Sequence, residues 1–512
     1  MILGGCRLAP RNGTMMRTRI LVLIIFALGT LPLLGQTPTE TITVDVAAPA
    51  HPFPHFWEQM FGSGRAVLSL RDSYRHDLRA VRQITDLQYI RFHGILDDDV
   101  GVYDEDKQGK PIYNFSYVDQ IYDGLLAANV KPFVELSFMP YKLAVRPDLQ
   151  SFWYRPNVAP PKDYARWDDM ITQLTKHLIE RYGLDEVASW YFEVWNEPNL
   201  DFWSGTPRQQ TYFELYDHTA RDIKAVSPRL RVGGPATAQA AWVGDMIKHA
   251  TQPHVPLDIV SSHVYGNDKA SDIFHTNENI PRDQMVCRAV KKVHDEIKAS
   301  ARPELPLIWS EFNAAYDNQV DVTDSIYMGP WLATTISQCD RLTDMMSYWT
   351  FSDVFEEQGV VKRPFYGGFG LIAAGNIPKP SFYALQLLHR LGDQRIENSN
   401  PDVLVTKAEH GRVIVAVWNI VNPGSSGAPK TVKLDFKGID PETRVSIQRL
   451  DEDHGNTLRL YQKMGSPRYP TKEQVDDLRQ QSTLPEPEFE DLTDGVLTLE
   501  LPVNGLALVQ LR

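Results

Sequence analysis

The run Trp190-Tyr191-Phe192-Glu193-Val194-Trp195-Asn196-Glu197-Pro198-Asn199 is apolar and aromatic-rich, and it ends on a carboxylate followed by proline. Side chains alternate along an extended strand, so Glu193, Trp195 and Glu197 are expected on one face. The residues between them, Asn196 included, are expected on the other. Pro198 has no N–H to donate to a sheet and disfavours helical geometry at Glu197. The pattern predicts a buried strand with Glu197 at its carboxyl end.

A second segment, Leu305-Pro306-Leu307-Ile308-Trp309-Ser310-Glu311-Phe312-Asn313, repeats this design, with Glu311 lying 311 − 197 = 114 residues after Glu197. Strand alternation places Leu307, Trp309 and Glu311 on one face. Glu197 by itself could cap a following helix. Two carboxylates at the same rim of a parallel barrel instead suit glycoside hydrolysis. That reaction needs one protonated carboxyl to release the leaving group and one ionised carboxylate to attack the anomeric carbon or activate water.

Residues 1–35 have the pattern of a secretory signal peptide, with basic residues before the apolar run 20–34 and small or apolar residues before a cleavage point. The apolar run is about 15 residues, shorter than the roughly 20 of a membrane span. An uncleaved anchor is the alternative. We expect export to the periplasm or the extracellular space.

Net charge argues against polyanionic partners. The leader has four arginines and no acidic residue, so its removal takes the formal charge from −13 to −13 − 4 = −17. Nucleic acid and anionic membrane surfaces are therefore not expected partners. Cys287 and Cys339 remain in the mature chain, and we favour buried thiols, although export leaves one disulfide open.

Strand-like and helix-like segments alternate over residues 36–393, which predicts a (β/α)8 barrel rather than a doubly wound open sheet. No phosphate-binding glycine loop opens an early helix, as a doubly wound nucleotide-binding sheet would require. The predicted strands are 56–61, 89–92, 131–136, 189–195, 231–234, 257–262, 306–310 and 345–350. The predicted helices are 68–83, 117–128, 163–182, 209–226, 240–251, 281–300, 325–342 and 381–391.

Residues 394–512 change to strand periodicity and predict a small β-sandwich, which the N-terminal strand 41–47 could join. Its predicted strands are 403–408, 413–419, 431–436, 444–450 and 496–511. The polar, proline-rich insertion 454–492 has a short helical piece at 472–481. Loops of that length are usually functional or disordered, and we expect a cover over the barrel mouth or an oligomer contact.

At these barrel positions the two glutamate motifs resemble clan A glycoside hydrolases, and more closely family 39, the retaining β-xylosidases. The resemblance covers nearly the whole mature chain and is most specific at 349–357, with further motifs at 91–94, 138–140, 262–265 and 464–467. The loop Gly266-Asn267-Asp268-Lys269 departs from the family pattern and leaves the leaving-group preference open.

The resemblance implies that Glu197 is the general acid/base and Glu311 the nucleophile. It further implies a sugar subsite shaped by His93, Phe138, Asn196, His263, Tyr265, Trp349, Glu356 and Glu357. The strand pattern agrees that His263 and Tyr265 share a face and that Trp349 lies near a rim. Each of these residues could instead serve packing or solvation, as a core histidine, barrel aromatics or an acidic loop.

The sequence therefore predicts an exported retaining glycoside hydrolase, an exo-β-1,4-xylosidase that releases xylose from xylo-oligosaccharides. A relative acting on another glycoside is the alternative within the class, as an iduronidase-like enzyme, a β-glucosidase or an arabinosidase. A non-catalytic glycan-binding protein is the alternative outside it. The double displacement requires no cofactor and no metal. The expected partner is a carbohydrate, and the chain could form a homo-oligomer.

Overall fold

A computed structural model describes residues 39–252 and 254–512. Eight parallel strands close into a barrel, which confirms the (β/α)8 prediction and rejects the open sheet. The barrel strands are Met60–Gly62, Tyr89–Arg91, Lys131–Leu136, Tyr191–Val194, Arg231–Thr237, Ile259–Tyr265, Leu307–Asn313 and Met345–Tyr348. The predicted signal peptide, residues 1–35, lies outside the described residues. Among the described residues, no helix combines the length and apolarity needed to cross a membrane.

One long helix follows each barrel strand, at the positions that the sequence pattern predicts. These helices are Asp72–Ile84, Ser116–Leu126, Tyr164–Tyr182, Arg208–Val226, Val243–Thr251, Arg282–Lys298, Met328–Cys339 and Pro380–Leu388. Short helical turns lie between them at Ala66–Leu70, Leu184–Val187, Ala238–Ala240, Ala270–Ile273 and Val320–Thr323. Two small hairpins extend from the loops, pairing Tyr103–Glu105 with Pro111–Tyr113 and Ile372–Ala373 with Ile377–Pro378.

Side chains that alternate along the strands form two cores. Met60, Phe133, Ile259, Ile308 and Met345 point inward and fill one end of the barrel. The residues on the opposite strand faces join the helices in a larger outer core. Above the apolar inner layer the interior becomes charged, and this is where the strands reach their carboxyl ends.

Two packed sheets form the β part of the chain. The larger has the strand order Ala50–Pro52, Gln394–Ile396, Val403–Lys407, Val413–Trp418, Leu506–Leu511, Arg444–Leu450 and Glu488–Asp491. The smaller has the order Thr39–Asp45, Lys430–Lys437 and Val496–Leu501, and its first pair is parallel. Val44, Leu434 and Leu499 of the smaller sheet pack with Val415 and Val509 of the larger.

The C-terminal sequence contains two strands where one was predicted. Residues 496–511 divide at a turn into Val496–Leu501 and Leu506–Leu511, which lie in different sheets. The insertion contains the helices Thr457–Lys463 and Lys472–Gln481. Leu458, Tyr461 and Leu478 of these helices pack against Phe365 and Ile377, in the long segment after the eighth barrel strand. The insertion therefore supports a segment that leads to the barrel mouth.

The preference for buried thiols was wrong, because Cys287 and Cys339 form a disulfide. The two residues are 52 positions apart, but they lie on the neighbouring helices Arg282–Lys298 and Met328–Cys339. Their Cα atoms are 5.1 Å apart, within the usual range for a disulfide. The bond thus cross-links two helices on the outside of the barrel.

We expect the double variant Cys287→Ser/Cys339→Ser to lose about 2–4 kcal/mol of unfolding free energy, because a closed loop of this length restricts the unfolded chain. Chemical denaturation with and without reductant measures the effect. Reductant should lower the stability of the wild type in the unfolding transition and leave the variant unchanged. Equal stability of the two proteins under oxidising conditions would contradict the role of this cross-link.

Candidate active site

A cavity of about 330 Å³ opens at the carboxyl ends of the barrel strands. Seven of the ten predicted site residues line it, and Glu197 and Glu311 face each other across it. The lining residues among the ten are His93, Asn196, Glu197, Tyr265, Glu311, Trp349 and Glu357. This is the rim at which enzymes of this fold carry out their chemistry.

Regular alternation of side chains along the strand does not explain how Glu197 comes to face the cavity. The fourth strand ends at Val194, and Trp195 and Glu197 have positive φ angles of 73° and 43°. This break in the extended chain sends Trp195 into the outer core and turns Asn196 toward Arg91. The expectation that Glu193, Trp195 and Glu197 share one face, with Asn196 on the other, was therefore wrong. Non-glycine residues in this conformation are strained and cluster at functional sites.

Glu311 reaches the cavity through a β-bulge. Ser262 pairs with Trp309 but His263 pairs with Glu311, so the seventh strand carries one extra residue at this point. Ile308 therefore faces the barrel interior, while Leu307 and Trp309 face the helices. The prediction that Leu307, Trp309 and Glu311 share a face was wrong. The bulge reverses the alternation just before Glu311 and returns its carboxylate to the interior.

The two carboxylates are close enough for direct attack on a sugar. An oxygen of Glu197 and an oxygen of Glu311 lie within 4.8 Å of each other, with Nδ1 of His263 beside both. Retaining glycosidases space their carboxyl groups at roughly 5–5.5 Å, whereas inverting enzymes need roughly 6.5–9.5 Å to admit a water. The spacing therefore fits the retaining geometry.

Hydrogen-bond donors from two barrel strands hold the Glu311 carboxylate. Nη1 of Arg91 donates to Oε1 of Glu311 at 2.6 Å, and the Tyr265 hydroxyl donates to Oε2 at 2.7 Å. Both oxygens of this nearly buried carboxylate thus accept a hydrogen bond, one of them from a cation. An ionised, oriented carboxylate is what a nucleophile in this reaction requires.

Glu197 lies in the opposite electrostatic environment. Burial raises the pKa of Glu197 well above its ordinary value, and the negative charges of Glu311 and Asp268 raise it further. Nδ1 of His263 lies 3.0 Å from Oε1 of Glu197, and Nε2 lies 3.0 Å from the Ser310 hydroxyl. Burial and the nearby Arg91 lower the pKa of His263, so this ring stays neutral. Glu197 can therefore hold the proton that a general acid needs.

Arg91 connects the strands beneath the cavity, and sequence reasoning did not select it as a site residue. The guanidinium is fully buried and donates to Glu193 at 2.6 Å and to the Asn196 side-chain oxygen at 2.9 Å, in addition to Glu311. It also pairs with Glu135 at 2.9 Å. The available signal was a charged residue in the buried strand Tyr89–Arg91.

His93 and Glu357 form a second polar wall of the cavity. Nδ1 of His93 donates to Glu135 at 2.8 Å, and Nε2 lies 3.6 Å from Glu357. Burial opposes the charge of His93, but the carboxylates of Glu135 and Glu311 outweigh it and raise the pKa of His93. Burial raises the pKa of Glu357 to about 8, with His93 opposing and Glu311 adding to the shift. A neutral Glu357 can donate a hydrogen bond to a sugar hydroxyl.

Three predicted residues do not line the cavity. His263 is fully buried behind Glu197 and contacts it directly. Phe138 is also fully buried, and its ring supports His93 at a centroid distance of 5.8 Å. Glu356 turns away and pairs with Arg65 and Arg71. Phe138 and Glu356 therefore support neighbouring residues of the site and do not line the cavity.

Residues from the segments after the strands complete the cavity, and the sequence analysis named none of them as site residues. Asp268 and Lys269 come from the loop that departs from the family pattern, and Tyr316 comes from the loop after the seventh strand. The remaining lining residues are Phe152, Leu200, Phe202, Ala238, Gln239, Asp272 and Phe369. Their positions depend on how the loops pack, and this cannot be predicted from the periodicity of the strands.

Glu197, His263 and Glu311 each offer one ligand atom in a single cluster, so this geometry could also hold a cation. Two carboxylates at this spacing can perform a double displacement without one. The arrangement supports acid/base and nucleophilic chemistry by Glu197 and Glu311.

Comparison with known proteins agrees with the fold. The profile of the family described as "Glycosyl hydrolases family 39" matches residues 40–490. A β-xylosidase of Geobacillus stearothermophilus is 38% identical over 472 residues, which are 90% of this chain and 93% of that protein. A β-xylosidase of Caldicellulosiruptor saccharolyticus is 39% identical over 443 residues, 84% of this chain and 88% of that protein.

A solved structure extends the comparison to three dimensions. The crystal structure of a monomeric β-xylosidase from Caulobacter crescentus CB15 is similar with a TM-score of 0.83 at 32% identity. The match covers 92% of this chain and 99% of that one. The family profile matches most of this chain, and both β-xylosidases are more than a third identical to it over most of their own length. The chain therefore belongs to glycosyl hydrolases family 39.

Proposed function

We propose that the protein is a retaining exo-β-xylosidase in which Glu311 is the nucleophile and Glu197 the general acid/base. The observation that carries the mechanism is the close pair itself, with Glu311 held by Arg91 and Tyr265 while Glu197 lies in surroundings that retain its proton. The β-xylosidases similar to this chain support the choice of xyloside.

In the first step, Glu311 attacks the anomeric carbon and Glu197 donates its proton to the departing oxygen. The bond to the leaving group breaks as the glycosyl ester of Glu311 forms. Loss of the Glu311 charge then lowers the pKa of Glu197, because one of the charges that raise it is gone. In the second step, Glu197 takes a proton from water, which attacks the anomeric carbon and releases the sugar.

Contacts around the pair fit one sugar ring. Arg91 occupies the side-chain oxygen of Asn196, which leaves the amide N–H groups to donate to a sugar hydroxyl beside Glu311. The ring centroids of Trp349 and His93 are 4.8 Å apart, and both rings line the cavity. Trp349 therefore offers an aromatic surface to the sugar. A cavity of about 330 Å³ is at the lower end of the range of small-ligand sites, roughly 300–1,000 Å³, and favours action on a chain end.

An iduronidase-like activity would need a cation for the substrate carboxylate. Lys269 lines the cavity and is the observation that favours this alternative. Lys269 is exposed, however, and follows Asp268, whose charge acts on the acid Glu197. Arg91 is already engaged by carboxylates. The β-xylosidases that are similar to this chain make the xyloside proposal the stronger one.

We also propose that the protein is exported. The signal-like leader and the disulfide between Cys287 and Cys339 support this, because structural disulfides persist in oxidising compartments. Fractionation of cells that express the full chain would test it, with intact protein found only in the cytoplasm as the contrary result.

The substrate is tested with a panel of p-nitrophenyl glycosides comprising β-xyloside, β-glucoside, β-galactoside, α-arabinoside and α-iduronide. Dominant β-xyloside turnover with retained anomeric configuration is the expected result. Turnover of a different glycoside would keep the mechanism and replace the sugar. Inactivity on the whole panel and on xylo-oligosaccharides would contradict the xylosidase proposal and favour a glycan-binding role.

The two glutamates should respond differently to substitution. We expect Glu311→Gln to lower kcat by at least about 10³-fold on every substrate, because no covalent ester can form. Glu197→Gln should cost about 10²–10⁴-fold on xylobiose but less on p-nitrophenyl β-xyloside, whose leaving group needs little protonation. Steady-state kinetics on both substrates checks this. An equal loss from Glu197→Gln on the two substrates would contradict its role as the acid.

The pH profile should report the proton on Glu197. Activity requires this proton, so kcat/KM should fall as pH rises through the pKa of Glu197. Burial raises the pKa of Asp268 to about 6, and above that pH its charge raises the pKa of Glu197. Asp268→Asn removes this charge, so we expect the alkaline limb to move to lower pH.

Asp272→Asn is the matched control for the Asp268 variant. Asp272 lines the same cavity, and its charge acts on Asp268, which stays ionised on the alkaline limb, rather than on Glu197. Its substitution should leave the alkaline limb in place. Equal shifts in both variants, or no shift in Asp268→Asn, would show that Asp268 does not set the pKa of the acid.

A further inference from the structure

A buried carboxylate flanked by two imidazoles lies at the barrel end opposite the catalytic cavity. Glu58 comes two residues before the first barrel strand, Met60–Gly62, and His389 directly follows the last long barrel helix, Pro380–Leu388. Nδ1 of His55 lies 2.6 Å from Oε1 of Glu58. Nδ1 of His389 lies 2.9 Å from Oε1 and 3.0 Å from Oε2 of the same carboxylate.

This carboxylate has no permanent cation beside it. The Glu58 side chain has no exposed surface, and in the described part of the chain no lysine or arginine pairs with it. An isolated buried carboxylate is costly, so such groups are paired with charge or bind a metal. The two histidines are the available partners, and a histidine provides positive charge only when it is protonated.

The donor set has the chemistry of a first-row divalent metal site. Two imidazole nitrogens and one carboxylate oxygen are ligands that zinc accepts, with a fourth position left for water. The three ligand atoms lie within 4.8 Å of one another. Bond lengths of about 2.0–2.2 Å around a tetrahedral ion require ligand atoms about 3.3 Å apart. The Nδ1 atoms of His55 and His389, now 2.6 and 2.9 Å from Oε1 of Glu58, would therefore move away from it by about 0.7 and 0.4 Å.

Access and support also fit such a site. The His389 side chain is 41% exposed and that of His55 is 18% exposed, which gives an ion and its water a path from solvent. The His55 ring stacks on the Trp57 ring with 4.4 Å between the ring centroids, and this contact fixes the orientation of the imidazole. Imidazoles from two segments that are 389 − 55 = 334 residues apart thus converge on one fixed carboxylate.

We propose that His55, Glu58 and His389 form a structural binding site for a divalent first-row metal of the zinc type, at the end of the barrel away from the catalysis. The ion binds the Nδ1 lone pair of each neutral imidazole, whose single proton then lies on Nε2, and it joins the segment before the first strand to the end of the last helix. It stabilises closure of the barrel and takes no part in hydrolysis. The site stands independently of the proposed xylosidase activity.

The test uses the purified, chelator-treated and dialysed protein, titrated with ZnCl₂ by calorimetry and heated with and without Zn²⁺. Glu197, His263 and Glu311 could bind Zn²⁺ as well, so the titration is repeated in the Glu311→Gln background. The informative variant is His389→Gln, which keeps a hydrogen-bond donor to Glu58 but removes the imidazole ligand. His55→Gln is the second variant, circular dichroism checks folding, and MgCl₂ is the hard-cation control.

We expect one Zn²⁺ bound in the Glu311→Gln background, a higher unfolding midpoint with Zn²⁺, and no effect of Mg²⁺. In a folded His389→Gln variant Zn²⁺ affinity should fall by at least about tenfold and the midpoint shift should disappear. Binding that survives both histidine substitutions would overturn the proposal. So would the loss of all Zn²⁺ binding in Glu311→Gln alone, or the absence of binding in the wild type.

Discussion

The buried guanidinium of Arg91 is the interaction on which the catalytic end of the barrel depends. From the second strand it reaches carboxylates on the third, fourth and seventh strands, and it also holds the Asn196 side chain. An arginine fork suits this role because it is always charged and donates in several fixed directions. Removing it would leave several buried carboxylates without a cation, which is far more costly than the loss of an ordinary surface pair.

One guanidinium cannot neutralise every carboxyl group around it. Carboxyl groups thus outnumber the cation, and this explains why Glu197 and Glu311 can take different roles at the site. Glu311 receives donors on both oxygens, whereas burial raises the pKa values of Glu193, Glu197 and Glu357. Burial outweighs the ion pair that Glu193 makes with Arg91, and no lysine or arginine among the described residues pairs with Glu197 or Glu357, so the pKa values of all three are raised. Of these, Glu197 lies beside Glu311 and faces the cavity, so the proton that the reaction needs is stored where the leaving group departs.

Local departures from regular strand geometry place these groups. Positive φ angles at Trp195 and Glu197 follow the end of the fourth strand, and a bulge before Glu311 interrupts the seventh strand near its carboxyl end. Regular alternation would have kept Glu311 on the same face as Trp309, among the helices. The barrel thus provides rigid strands, and its irregular ends aim the two carboxylates at a common point.

The sequence by itself determined the order and type of the eight strand-helix units and marked Glu197 and Glu311 as strand-end carboxylates. Both depend on local signals, namely hydrophobic period, breakers and a charged residue at the end of an apolar run. Tertiary structure decided which way these side chains point, because bulges and register depend on the neighbouring strands. It also decided that Arg91 is central, that Phe138 and Glu356 lie outside the cavity, and that Cys287 pairs with Cys339. Each of these facts depends on a contact between residues far apart in the chain, which periodicity within one segment cannot encode.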